Sequence, residues 1–176
     1  MEAVEVHLHN YRLALDQAQN LLVLAFGSGV GVLLLRLASP ATKVTVPGTF
    51  VEVDLETARL LVLGFHIVVA ALATYIVETC RRLAYFIESR PEIAKAMYDY
   101  PSMPCSPWLG VRVSVPVFSL GFVAWAQFSG SAGFGLGDSV VIVLLLSVHG
   151  TLISYLWRHP NGEVIPRRLL KSKIEN

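Results

Sequence analysis

LGFHIVVAALATYIVETCRR, residues Leu63–Arg82, decides the fold. Histidine 66 stands near its start and Glu78 near its end, and almost everything between them is apolar. A helix needs roughly 20 apolar residues to cross the hydrocarbon core of a bilayer. This run with its lead-in, 60–80, meets that requirement, and three others do as well. They are AQNLLVLAFGSGVGVLLLRLA at 18–38, LGVRVSVPVFSLGFVAWAQF at 109–128 and SVVIVLLLSVHGTLISYLW at 139–157. The third is interrupted by Arg112 and Pro116. The expected architecture is all-α: a polytopic membrane protein, one domain over 1–176, built as a four-transmembrane-helix bundle.

Composition agrees. Of the 176 residues, 54% are hydrophobic and 15% charged, with a mean hydropathy of +0.58. Soluble domains carry about 25% charged residues. The formal net charge of +1 offers no field for nucleic acid. The acidic start, with Glu2, Glu5 and Asp16 against Arg12, is unlike the basic front of a signal peptide.

The connecting segments set the expected orientation. The outer loop 39–59 and the loop 129–138 are poor in Lys and Arg. The loop 81–108 holds Arg81, Arg82, Arg90 and Lys95, and the tail 158–176 holds five further basic residues, Arg158, Arg167, Arg168, Lys171 and Lys173. The positive-inside rule puts these segments and both termini in the cytoplasm. Trp108 and Trp157 then fall at the inner interface and Trp125 near the outer one. Val4, Leu8, Tyr11 and Leu15 recur at helical spacing, predicting an amphipathic helix over 1–17. Alternation in KVTV and TFVEV around Pro47-Gly48 predicts a short hairpin in the outer loop. Ser89, Pro91 and Glu92 form a helix-start signature in the inner loop, and PSMPCSP stops that helix.

Residues three and four apart share a helix face. His66 aligns with Ala70, Ala73 and Val77, small side chains that let helices approach, so the face is expected to pack on protein. Gly27 and Gly31 form a GxxxG pair, read as an internal packing seam or a dimer seam. In the third span Arg112, Pro116, Ser119, Val123 and Gln127 lie together. Arg112 either snorkels to the interface or pairs with Glu78 at similar depth, fixing the second span to the third. In the fourth span Ser147, Thr151 and Ser154 line one side and His149 stands opposite among leucines.

His66 and His149 are the two histidines inside spans, and neither residue type is gratuitous in lipid. Counted from Arg59 and Asp138, their depths differ by about 6 Å at 1.5 Å per residue. As axial ligands they could hold a b-type haem between helices, with Arg36 and Arg59 at the propionates. In outline this resembles the small four-helix membrane cytochromes. The alternatives are carbonyl-bonded packing histidines, or a proton or ion site. No other cofactor and no metal site is expected: His7 and His9 point apart on a helix, and Cys80 and Cys105 form no metal-type or redox-type pair.

Catalysis is not expected, because the intramembrane ionisable groups His66, Glu78, Arg112 and His149 are spread over several levels rather than clustered. The leading expectation is a small protein acting by contact: an accessory or regulatory subunit in a bacterial inner membrane. Its partners would be the lipid bilayer and another membrane protein or a second copy, with Tyr85, Phe86, Met97, Tyr98 and Tyr100 as candidate contact residues. The layout is similar to that of immunity proteins against pore-forming bacteriocins. The rivals are haem electron transfer and transport of a proton or small solute by an oligomer.

Overall fold

The computed structural model describes residues 3–39, 43–46, 50–87, 100–106, 108–128 and 136–157. Four long helices carry almost all of it: α1 Ala3–Leu37, α2 Leu55–Ile87, α3 Leu109–Phe128 and α4 Leu136–Trp157. Each is long and apolar enough to cross a membrane, and the protein is a multi-pass, all-α four-helix bundle. The helices pack in the cyclic order α1, α2, α4, α3, so each contacts two neighbours.

The distribution of side chains is that of a lipid-solvated bundle. Leu34, Leu61, Val68, Val117, Val143 and Leu146 are exposed, whereas His66, Ser119 and His149 are buried. Inside a bilayer the apolar surface has no reason to leave its solvent. Polar groups do, since they find hydrogen-bond partners only within the protein.

The 20 and 22 residues of α3 and α4 give lengths of about 30 Å at 1.5 Å per residue, matching the hydrocarbon core. The 35 and 33 residues of α1 and α2 give about 50 Å, so these two project beyond their partners at the end where the chain starts. The described part of that segment, 3–17, is therefore the first half of one continuous helix rather than a separate element. Its expected apolar face is real: Tyr11, Ala14 and Leu15 are buried against Cys80, Ala84 and Cys105. The segment 100–105 docks along the same stretch. The Tyr100 hydroxyl donates to Asp16 at 2.9 Å, and the Met103 amide donates to Gln19 Oε1 at 3.1 Å. PSMPCSP, read as the stop of the inner-loop helix, contains a single turn of 3-10 helix, Met103–Cys105. The short i→i+3 turn needs few amide donors. The expected helix around 89–98 lies outside the described residues.

At the opposite end the predicted hairpin is present. Strands β1 Val44–Thr45 and β2 Glu52–Val53 pair antiparallel, with Val44 opposite Val53. Asp54 follows immediately and caps α2. Its carboxylate accepts from the Thr57 amide and the Thr57 hydroxyl, both at 2.8 Å, satisfying a donor that the first helical turn leaves open. These bonds hold the Asp54 carboxyl below its ordinary range. Arg59, one turn into α2, donates from Nε and Nη2 to the Leu35 carbonyl and so closes the C-terminus of α1. One guanidinium thus satisfies an open carbonyl at the tip of its neighbour.

Pro116 does not interrupt α3. It lies buried with Arg112, Ser119 and Val123 on one face. Within a bundle, neighbouring helices compensate for the missing amide hydrogen bond.

Candidate functional site: a buried histidine pair

All four helices contribute to one polar cluster near the middle of the bundle. Ser28 comes from α1, His66 from α2, Ser119 from α3 and His149 from α4. At 1.5 Å per residue, Ser28 and Ser119 lie about 14 Å from the hairpin-side ends of their helices, and His66 about 17 Å from its own. His149 is about 12 Å from the far end of α4. The cluster is therefore at mid-membrane depth.

The two imidazoles touch. His66 Nε2 is 3.2 Å from His149 Nε2, with ring centroids 5.1 Å apart and planes inclined by 17°. The depth difference of about 6 Å expected from residue counting is absorbed in the packing of α2 on α4. Each remaining ring nitrogen also has a partner. His149 Nδ1 is 3.1 Å from the Leu145 carbonyl oxygen. His66 Nδ1 is 2.9 Å from Ser28 Oγ, which is in turn 2.9 Å from the Ala25 carbonyl oxygen. Ser119 Oγ donates to that same oxygen at 3.0 Å.

Donor counting fixes the tautomers. A carbonyl only accepts, so His149 Nδ1 carries hydrogen. In a neutral ring His149 Nε2 is then an acceptor, and His66 Nε2 must donate to it. Neutral His66 consequently accepts at Nδ1, from the Ser28 hydroxyl. If one proton is added at His66 Nδ1, that nitrogen donates to Ser28 Oγ instead, and the hydroxyl hydrogen turns to Ala25. Both states are fully hydrogen-bonded with every heavy atom in place. A second proton would set two N–H groups against each other across 3.2 Å. The site is built for zero or one added proton.

The arrangement does not fit a haem. A metal–imidazole bond is about 2 Å, so two axial nitrogens stand about 4 Å apart with the macrocycle between them. Here the rings are in direct contact. Arg59, expected at a propionate, instead caps α1. Among the described residues no group of three or more His, Cys, Asp or Glu is placed to hold a metal ion.

The surrounding faces follow the expected periodicity. Ala70, Ala73 and Val77 are buried with His66, and Leu145, Leu152 and Leu156 with His149. Thr151 and Ser154 are exposed and bond back to carbonyls of their own helix, Ser147 and Thr151, so this stripe lines no interior pore. Two expected contacts fall elsewhere. Glu78 pairs with Arg81 at 3.3 Å and Arg82 at 3.2 Å on its own helix rather than with Arg112. Arg112 is buried within the bundle near Cys105 and does not snorkel. The close helix approach falls on Gly29, where an added Cβ would stand 3.1 Å from Ser119 Oγ. At Gly27 it would meet nothing within 4 Å, and at Gly31 only Val62 at ordinary distance.

Of the candidate contact residues, Tyr85 and Phe86 fall in the last turn of α2, and Met97 and Tyr98 lie outside the described residues. Tyr100 is bound to Asp16, which raises its hydroxyl above the usual tyrosine range. Cys80 and Cys105 share one buried cluster, and burial pushes the Cys105 thiol up. Sequence reasoning missed Ser28 as a partner. Its signal was a lone hydroxyl in the middle of an apolar span, a group that must find a partner within the protein. Set beside known protein families, curated proteins and solved structures, the chain matches none of them.

Proposed function

We propose that this chain is a small regulatory protein of a bacterial inner membrane, acting by contact with another membrane protein, and that its switch is the one-proton site at His66 and His149. The observation that carries the proposal is the 3.2 Å contact between the two Nε2 atoms, with both Nδ1 atoms engaged as well. An ionisable pair in the middle of a bilayer is costly unless partnered, and such groups serve as proton relays or switches. Gaining the proton places a positive charge where α1, α2 and α4 meet and reverses the hydrogen bond that joins α1 to α2. Histidine protonation is a common way to bias a packed interface.

The basic segments after α2 and α4 support an orientation with both termini in the cytoplasm. Anchoring of residues 100–105 on α1 holds one end of the inner segment against the bundle, and so supports that segment as the contact surface. The test is a proton count. The purified chain in detergent should bind one more proton during acid titration than a His66→Gln/His149→Gln double variant. Equal counts, or a difference of two, would refute the one-proton site. The contact half predicts a co-purifying membrane chain in mild detergent, retained differently by the wild type and the double variant. Identical recovery with both would refute it.

A further inference from the structure

We infer that the histidine pair exchanges its proton with the compartment bathing the hairpin end of the bundle, and is sealed from the other. The inference rests on the one-proton reading and adds the route.

Between α1, α2 and α3 at the hairpin end lies a cavity of about 40 Å³. Arg36, Arg59 and Gln127 form its polar wall, and Val32, Leu63 and Ala126 its apolar one. Leu63 is three residues from His66, and Val32 four from Ser28. The packed layer between cavity and imidazole is therefore a single turn, about 5 Å along the axis. Space for a water needs roughly 10–15 Å³, and this cavity exceeds that.

Toward the opposite end the described residues form closed apolar clusters. Ala18, Leu22, Ala73, Val77, Leu152 and Leu156 form one cluster, none of them more than 1% exposed. Beyond it Tyr11, Leu15, Cys80 and Ala84 are equally closed. From His149 to the far end of α4 at Trp157 is eight residues, about 12 Å, along which Leu152 and Leu156 close the inner face. A proton must cross about twice as much packing in that direction, in the half of the bundle that also buries the Arg112 guanidinium, and a further positive charge there is unfavourable.

No further charged side chain belongs to the polar cluster itself. On α1 the flanking charges are Asp16 and Arg36, on α2 Arg59 and Glu78, on α3 Arg112, and on α4 Asp138. Arg36, Arg59 and Asp138 stand at the hairpin end. Asp138 accepts from Gln127 Nε2 at 3.0 Å, placing a carboxylate beside the cavity wall. The two guanidiniums oppose entry of a cation. Arg59 is spent on the negative end of α1, and the Asp138 carboxylate adds a negative charge at the same end.

The experiment uses the full chain, labelled at histidine, reconstituted in one orientation in vesicles with impermeant buffers. Infrared bands of the pair are assigned by their loss in His66→Gln and His149→Gln. Acidifying the hairpin side alone should convert the bands, and acidifying the opposite side alone should leave them unchanged. Leu63→Phe, which fills the cavity floor, should slow conversion from the hairpin side. Conversion from the opposite side, or equally from both, would overturn the inference while leaving the one-proton reading intact. Bands that respond to neither side would refute the one-proton reading, and the route with it.

Discussion

Replacing Gly29 with alanine should destabilise the bundle, and the structure gives the size of the effect. The new methyl would stand 3.1 Å from Ser119 Oγ, 3.3 Å from the Ser119 carbonyl oxygen and 3.4 Å from Ser119 Cα. Two of these atoms are backbone, so a rotamer change in α3 cannot relieve the contact. Overpacking of this kind costs about 1–3 kcal/mol. Alanine's higher helix propensity returns up to about 1 kcal/mol. The net loss is about 0–2 kcal/mol, with the larger value expected because Ser119 also holds its hydrogen bond to Ala25. Gly27→Ala meets nothing within 4 Å and Gly31→Ala only Val62 at 3.5 Å, so neither incurs the packing cost. Reversible unfolding in mixed micelles should rank Gly29→Ala below the wild type, and the wild type at or below the other two. Equal stability of the Gly29 and Gly27 variants would refute the placement of the α1–α3 contact.

Further outcomes follow from other parts of the bundle. In a double-mutant cycle of His66→Gln and His149→Gln, the coupling should be about 0.6 kcal/mol, the average for hydrogen bonds between membrane helices, and at most about 1.7 kcal/mol, and strict additivity would argue against the contact. The Asp54 carboxyl is held below its ordinary value by Thr57. Its stabilising contribution is therefore full above the unfolded carboxylate value of about 3.9 and is lost as pH falls through the folded value. Asp54→Ala should weaken stability at neutral pH and remove that part of the acid dependence, as read by unfolding at several pH values. Cys105 is buried and its thiol pushed up, so alkylation should be slow in the folded chain and fast after unfolding. Rapid labelling of the folded chain would contradict the docking of residues 100–105 on α1.

Much of this was legible in the sequence because membrane helices obey a length rule. Four apolar runs gave four helices, the third ending at the residues expected. The i, i+3 and i, i+4 spacing correctly put His66 with Ala70, Ala73 and Val77 inside, and His149 with its leucines. Strand alternation around Pro47-Gly48 found the hairpin. The remainder depends on rotation, tilt and partner choice, which a linear reading does not supply. Equal depth made Glu78 and Arg112 look like partners, yet Arg81 and Arg82 are closer competitors at i+3 and i+4 on the same helix. A GxxxG spacing marked Gly27 and Gly31, but rotation of α1 turns Gly29 toward Ser119. Residue counting put the histidines at different depths, whereas their rings are in contact.

The most direct measurement is nitrogen magnetic resonance of the histidine-labelled chain in lipid. The account predicts a scalar coupling through the hydrogen bond between His66 Nε2 and His149 Nε2, lost in either single glutamine variant, with acid adding one proton at His66 Nδ1. Two uncoupled rings that each take up a proton independently would contradict it.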